Sequence, residues 1–434
     1  MRLDVSDFTV VVCNDFCHVQ GGASKVAIDE AVALAEAGAR VIFLGAVGPV
    51  CEALLHERIE VVCLAQPELL NAMRHPMALL QSMLNRPAYL RTRAILAGLE
   101  PARTIVHLHG YTKALSSSPM LAARRMGFRT VCTLHDFYAA CPNGAFFDFG
   151  AQTLCTRRGL SASCMLANCD KRAYVHKMFR VARGLVQRDL ARFPASVSDF
   201  ISLSRKSAEV LRPYLGADAR LHALENIIDV PASAAVAAGS SREWVFVGRL
   251  DVEKGVQLLA RAAASIGLKV TFIGDGPLRA EIEAVPGMSV TGWLSGAQVK
   301  QRLAAARCLV FPSLWYEAYG LVVSEAAALG IPAVVSDISA AAERVVPGET
   351  GWQFRSGDQK DLTRCLRETL NDEMVAAAGL RAHAAFWREP PTAAHHATGL
   401  LQIYRAILEK VAAPVVRLGS VAELAFPASD RVPG

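Results

Sequence analysis

The 434-residue chain has no run of about 18 uncharged apolar residues, so hydropathy gives it no membrane-crossing helix. Its opening, MRLDVSDFTVVVCNDF, places Asp4 and Asp7 where a signal peptide needs basic and then apolar residues, and a cytoplasmic protein is expected. Asp-x-Asp is missing throughout, which removes a common carboxylate clamp for a metal-bound diphosphate. The turn carrying Gly21 and Gly22 lacks the third glycine of a dinucleotide fingerprint, and the second strand, IFLGAVG, ends without the acid that would bind a ribose; both omissions count against a NAD-dependent dehydrogenase. Acids are also scarce between Leu69 and His135, where Glu100 stands alone against nine basic residues: Arg74, Arg86, Arg91, Arg93, Arg103, Lys113, Arg124, Arg125 and Arg129. The net charge of +6 is therefore weighted to the first half. Such a face suits an anionic membrane surface or a pyrophosphate-bearing molecule, or is simply a solvated basic face. No nucleic-acid partner is expected.

A hydrophobic fraction of 52% with 20% charged residues describes a globular chain with a large core, and the length exceeds what one core normally serves. Apolar runs alternate with helical patterns in FTVVVCN, ASKVAIDEAVALAEAG, RVIFLGA, IEVVCLA, TIVHLHG and RTVCTLHD. The rhythm restarts with EWVFVGRL, VQLLARAAASIG, KVTFIGDGP, CLVFPSL, VVSEAAALG and PAVVSD. Two such series predict two doubly wound α/β domains. The expected division is 1–229, 230–395, a returning helix over 396–412 and a loose tail over 413–434, with RPYLGADARLHALENIIDVPASAAVAAGSSRE as the connection. Trp387 and Tyr404 are candidate anchors where the last helix crosses back.

In EAYGLVVSEAAALG, Glu317 and Glu325 stand eight positions apart around a turn at Gly320 that enters a helix, a ready anion site because the first N–H groups of a helix lack internal partners. In VGRLDVEKG, Arg249 and Lys254 follow a buried strand and could stabilise charge building on a leaving group. FIGDGP places Gly274 and Gly276 in a further turn. On the first-domain side are Gly21 and Gly22 at a strand-to-helix turn, His135 at the end of a strand in TLHDFYAACPNG, and His107 and His109 in VHLHGY.

These motifs resemble the retaining glycosyltransferases known as glycosyl transferases group 1, whose mark is two glutamates separated by seven residues. The resemblance implies a GT-B fold, in which two Rossmann-like domains face each other across a cleft. It implies that Glu317 meets the transferred sugar, that the N–H groups of Tyr319, Gly320 and Leu321 approach sugar or diphosphate, and that Glu325 binds the ribose. By the same route Arg249 and Lys254 hold the diphosphate, Gly274, Gly276 and Trp293 lie near the nucleobase, Gly22 lines the cleft, and His135 orients a sugar hydroxyl. His107 and His109 are further candidates for substrate contact, or else core or loop residues. Trp293 reads equally well as a core residue. The resemblance further implies retention of configuration without a metal or other catalytic cofactor, a UDP-sugar donor ahead of a GDP-sugar, and a saccharide or lipid-linked saccharide acceptor in envelope or exopolysaccharide synthesis, at the inner face of the membrane. A nucleotide-sugar epimerase and a non-catalytic nucleotide-sugar-binding protein are the alternatives.

Eleven cysteines in a cytosolic chain point to thiols or metal ligands rather than disulfides. Cys141, Cys155, Cys164 and Cys169 fall in one insertion and could hold a structural zinc, remain thiols, or form a redox pair, and their spacing does not repeat a Cys-x-x-Cys knuckle.

Overall fold

Strands rich in Val, Ile and Phe that are buried on both faces need helices above and below them, and that is the arrangement found. The computed structural model describes residues 8–68 and 76–409; the opening aspartates, Arg74 and the tail over 413–434 lie outside them. The first sheet contains β1 (Thr9–Phe16), β2 (Arg40–Val47), β3 (Ile59–Cys63), β4 (Thr104–Leu108), β5 (Arg129–Leu134), β8 (Asp199–Ser202) and β9 (Arg220–Ala223) in the order β3-β2-β1-β4-β5-β8-β9, every pair parallel. A small antiparallel hairpin, β6 (Phe147–Asp148) with β7 (Thr153–Leu154), stands apart inside the cysteine-bearing insertion. The second sheet contains β10 (Trp244–Val247), β11 (Val270–Ile273), β12 (Met288–Val290), β13 (Cys308–Phe311), β14 (Ala333–Ser336) and β15 (Gly351–Phe354) in the order β12-β11-β10-β13-β14-β15, again parallel.

Alternation along β1 sorts the first core into two layers. Val10 and Val12 pack with Ile28 and Leu34 of helix Gly22–Glu36 and with Leu400 and Tyr404 of the last helix. Val11 and Cys13 pack on the opposite face with Leu121, Phe128 and Leu134. The second sheet has its own core, with Val245, Phe272, Leu309 and Val334 in the strands and Leu259, Ala326 and Leu366 from helices.

The sequence reads the stretch from Arg212 to Glu243 as connection throughout, yet its first part forms β9. That strand escapes a hydropathy reading because its side chains RLHA pair through charge: Arg220 and His222 both reach Asp199 of β8, at 2.9 and 2.8 Å. At the far end, helix Asp372–Arg388 stays on the second domain, where Trp387 Nε1 donates to the Ala328 carbonyl at 2.9 Å. Pro390 and Pro391 then separate it from helix Ala393–Leu408, which lies on the first domain, with Gly399 against Leu224. Trp387 is thus an anchor of the second domain, not of the crossing; Tyr404 belongs to the crossing.

Candidate active site

Each sheet reverses its strand order next to its first strand, β1 beside β4 and β10 beside β13, and such switch points leave a crevice at the carboxyl ends of the strands. The two crevices face each other: a Cβ on Gly22 would stand 3.5 Å from Leu321 Cδ1 of the opposite domain. Two helix N-termini, those of Gly22–Glu36 and Leu321–Leu329, therefore point into one cleft.

On the second-domain side, Glu317 is 7% exposed and holds φ 49°, a left-handed conformation that costs a non-glycine residue roughly 1–3 kcal/mol and collects at functional sites. Its Oε1 accepts from Lys254 Nζ and from Ser313 Oγ, both at 2.6 Å. Lys254 ends a short turn closed by Gly255, where any Cβ would meet the Pro312 carbonyl oxygen at 2.0 Å. Gly320, at φ 89°, caps helix Leu321–Leu329, and no acceptor among the described residues takes the N–H groups of Tyr319, Gly320 or Leu321. The Tyr319 side chain turns away into the core, with the Arg344 guanidinium 3.6 Å from its ring centroid. Glu325 is half-buried on the same helix; burial pushes its carboxyl up, against the pull of Lys25 and Lys300.

Arg249 is tied to Asp251 at 2.9 Å and Glu253 at 3.4 Å. Gly274 and Gly276 are fixed by close packing: a Cβ on either would come within 1.9 Å of the Gly248 and 2.6 Å of the Leu250 carbonyl oxygens. Trp293 is 66% exposed, so the core reading is wrong for it. It rims a pocket of about 410 Å³ with Arg249, Asp275 and Pro277.

On the first-domain side, Gly21 caps its helix at φ 111° with open space around it. His135 ends β5, half-buried, and Phe137, two residues on, packs edge-on against Trp315 and Tyr316, just before Glu317. Asp15 at the end of β1 accepts the N–H groups of Lys113, Ala114 and Leu115, each at 2.8 Å, and so shapes the loop that follows His109. Between the domains lies a cavity of about 690 Å³ whose walls include Lys113, Asp136, Lys171, Arg183, Arg249 and Glu253. Lys171 closes one side with a 2.5 Å ion pair to Asp251 of the opposite domain. Burial raises the Asp136 carboxyl to about 6, an effect opposed by the Tyr138 N–H and increased by neighbouring Asp15.

Two family descriptions match the chain: Glycosyltransferase Family 4 over residues 20–231 and Glycosyl transferases group 1 over residues 241–372, one on each domain. The second domain belongs to the glycosyl transferases group 1 family and the first to Glycosyltransferase Family 4. Among relatives, glycogen synthase of Mycobacterium tuberculosis is 34% identical over 155 residues, 33% of the chain and 37% of that relative. A GDP-mannose-dependent alpha-mannosyltransferase of Mycolicibacterium smegmatis is 36% identical over 24% of the chain and 28% of its own length. The matched part thus spans about a third of these relatives. Among solved structures, sucrose-phosphate synthase from Thermosynechococcus elongatus superposes with a TM-score of 0.67 at 17% identity, covering 93% of the chain and 100% of that structure. Anabaena HepE in complex with UDP gives 0.60 at 15%, covering 92% and 100%. The fold is GT-B.

In the first domain the two histidines of VHLHGY are core residues, one of the readings the sequence leaves open for them. His107 is fully buried, bonded to Thr133 and Tyr404. His109, a candidate for substrate contact, is 2% exposed with both nitrogens engaged, one by Glu30 at 3.1 Å and one by His135 at 2.9 Å. Glu30 itself goes unnoticed in the sequence, because a glutamate in an amphipathic helix ordinarily faces water. Among the described residues, Glu30, His107 and His109 are the one trio with metal-ligand chemistry close together, but their separations of 2.9 and 3.1 Å are hydrogen-bond lengths.

Of the four insertion cysteines, Cys164 and Cys169 surround Lys177, whose fully buried Nζ lies 3.7 and 2.8 Å from their sulfurs. Burial alone would push that ammonium down; the sulfurs of Cys169, Cys164 and Cys141 outweigh it and hold it up. Cys155 is elsewhere, near Arg157. As arranged, these side chains do not fit a four-thiolate zinc: an ammonium stands between two of the sulfurs, and the four do not converge.

Proposed function

We propose that the chain is a retaining glycosyltransferase that moves a sugar from a nucleotide sugar, with UDP favoured over GDP, to a saccharide or lipid-linked saccharide acceptor in cell-envelope polysaccharide synthesis. The observation that carries the reading is the buried Lys254–Glu317 pair, held in a strained turn beside three uncommitted N–H groups and opposite a second helix N-terminus. A diphosphate placed on those N–H groups takes Lys254 as counter-ion, which frees Glu317 for the sugar.

In the step we infer, the bond from the anomeric carbon to the diphosphate oxygen breaks, the acceptor hydroxyl oxygen bonds to that carbon on the same face, and its proton passes to the departing phosphate oxygen. Arg249 and Lys254 stabilise the leaving charge. Glu317 and Glu325 are not the paired acid and nucleophile of a glycoside hydrolase, because Glu325 serves the ribose. HepE, which shares this fold, has been captured with UDP, and the alpha-mannosyltransferase is named for GDP-mannose, so both bases belong in the test.

Calorimetric titration with UDP and with GDP, both in EDTA, should show tight binding of one, UDP by this reading. Binding of neither would count against a metal-independent nucleotide site. With donor and acceptor present, free nucleoside diphosphate and a new glycoside should appear; an isomerised sugar would point to the epimerase instead. Glu317→Ala should abolish transfer while leaving nucleotide affinity nearly unchanged, whereas Lys254→Ala should weaken nucleotide binding as well. A structural zinc on Cys141, Cys155, Cys164 and Cys169 would require Lys177 to move out; more than about 0.2 zinc per purified chain would revive it.

A further inference from the structure

Glu30, 1% exposed on helix Gly22–Glu36, lies where three imidazoles meet. Its Oε1 is 2.9 Å from His107 Nδ1 and 3.1 Å from His109 Nε2, and its Oε2 is 3.2 Å from His396 Nε2 on the last helix. Burial works against its ionised form, yet the imidazoles around it hold the carboxyl well below the usual range. A carboxylate only accepts hydrogen bonds, so each imidazole nitrogen facing it must donate.

The hydrogens can then be followed outward. His109 donates through Nε2. His396, held between two acceptors, carries the one positive charge that balances Glu30, so His109 has a single hydrogen, and its Nδ1 is bare and can only accept. Its neighbour at 2.9 Å, His135 Nε2, must be the donor. Burial pushes the His135 imidazole well below its ordinary value, so this ring is neutral too and its Nδ1 is bare. His107 fits the same scheme: Nδ1 donates to the Tyr404 hydroxyl at 2.6 Å, with Glu30 beside it, and Nε2 accepts the Thr133 hydroxyl at 2.7 Å. His396 closes the charge balance, since its Nδ1 meets the Glu225 carbonyl at 2.7 Å and its Nε2 meets Glu30; both oxygens only accept, so both nitrogens donate.

We propose that Glu30 is a positioning residue which, through His109, fixes His135 in the Nε2–H tautomer, so that His135 offers the cleft a hydrogen-bond acceptor and not a donor. The ligand group that matches a bare imidazole nitrogen is a hydroxyl, which can turn its hydrogen towards it. A phosphate or carboxylate oxygen would meet lone pair against lone pair and be turned away. The hydroxyl being that of a sugar rests on the glycosyltransferase reading; the tautomer does not.

The rival account is that Glu30 merely knots the last helix to the first domain, since His396 and Tyr404 come from that helix. Two variants separate these roles. Glu30→Gln cuts the tautomer chain, because an amide can donate as well as accept, whereas Leu400→Ala loosens the same docked helix and leaves the Glu30–His109–His135 line and its His396 counter-charge whole. In protein labelled with nitrogen-15 at histidine, with His135→Asn to identify the resonances, long-range nitrogen–hydrogen couplings read which ring nitrogen carries hydrogen.

The expected result is the Nε2–H form of His135 in the wild type and in Leu400→Ala, and loss of that single form in Glu30→Gln. Should Glu30→Gln fail to fold, His109→Asn makes the same cut. A wild-type His135 with hydrogen on Nδ1, or a His135 unaffected by both cuts, overturns the proposal whether or not the protein transfers sugar. Where transfer is measured, Glu30→Gln should lower kcat roughly tenfold to hundredfold, the range in which outer-shell partners of a working histidine act, with UDP affinity unchanged. Leu400→Ala should lower the melting temperature and spare kcat; equal kcat losses in both would favour the knot.

Discussion

Lys254 and Glu317 neutralise each other at 2.6 Å in a mostly buried cleft, so either charge left alone there is costly. Glu317→Gln should accordingly leave Lys254 without its counter-ion and ready for a diphosphate, and calorimetry should register UDP affinity equal to or above that of the wild type. His107 gives a test of a different kind. In an unfolded chain its ring titrates near 6.5, and burial lowers it to about 4 in the fold. The folded ring is neutral where the unfolded one takes up a proton, so stability is lost as pH falls from about 6.5 towards 4. Asp136, raised to about 6, acts with the opposite sign over the same interval, so the measurement is a comparison: the urea midpoint of His107→Asn should fall less steeply with acid than that of the wild type. The glutamate pair and the Arg249/Lys254 pair are legible in the sequence because glycine turns flank them. Glu30 and His396 are not, since 366 positions separate two side chains that meet only when the last helix docks.

Among the elements, the glycine turns carry the least tolerance. Gly274→Ala would put a methyl group 1.9 Å from the Gly248 carbonyl oxygen at φ 144°, and we expect a loss of at least about 2 kcal/mol in denaturant unfolding. Tyr404→Phe removes the hydroxyl that meets His107 Nδ1 at 2.6 Å inside the core and should cost about 1–3 kcal/mol, read in the same way. The apolar strands and Ala-rich helices could be found by hydropathy alone, as β1 and β13 show. β9 could not, because its inward partner is an aspartate and its sequence alternates charge with apolar residues. The Pro390–Pro391 break marked where helix Asp372–Arg388 ends, but no pattern in FWREPP tells which domain Trp387 will join.

For the whole molecule, the cavity between the domains is held partly shut by Lys171, two residues past the last cysteine of the insertion, bonded to Asp251 and Glu253 of the second domain. Lys171→Ala should widen the spread of domain separations, seen as a larger radius of gyration in small-angle scattering without nucleotide, with the difference shrinking once UDP is bound. The two-domain plan is visible in the sequence because the strand–helix rhythm starts twice. The insertion's place on the cavity wall is not, since Asn143, Gly144, Ala145 and Phe149 reach that wall only once the loop is folded. The polypeptide passes between the domains twice, once after β9 and once at Pro390–Pro391, with the two crossings adjacent where Ile228 N–H donates to the Pro391 carbonyl at 3.0 Å. A body tethered by one strand can swivel; one tethered by two strands side by side resists torsion and swings like a door on a single axis. Every opening of the cleft should therefore retrace the same arc and bring helix Leu321–Leu329 back to Gly22 in the same register.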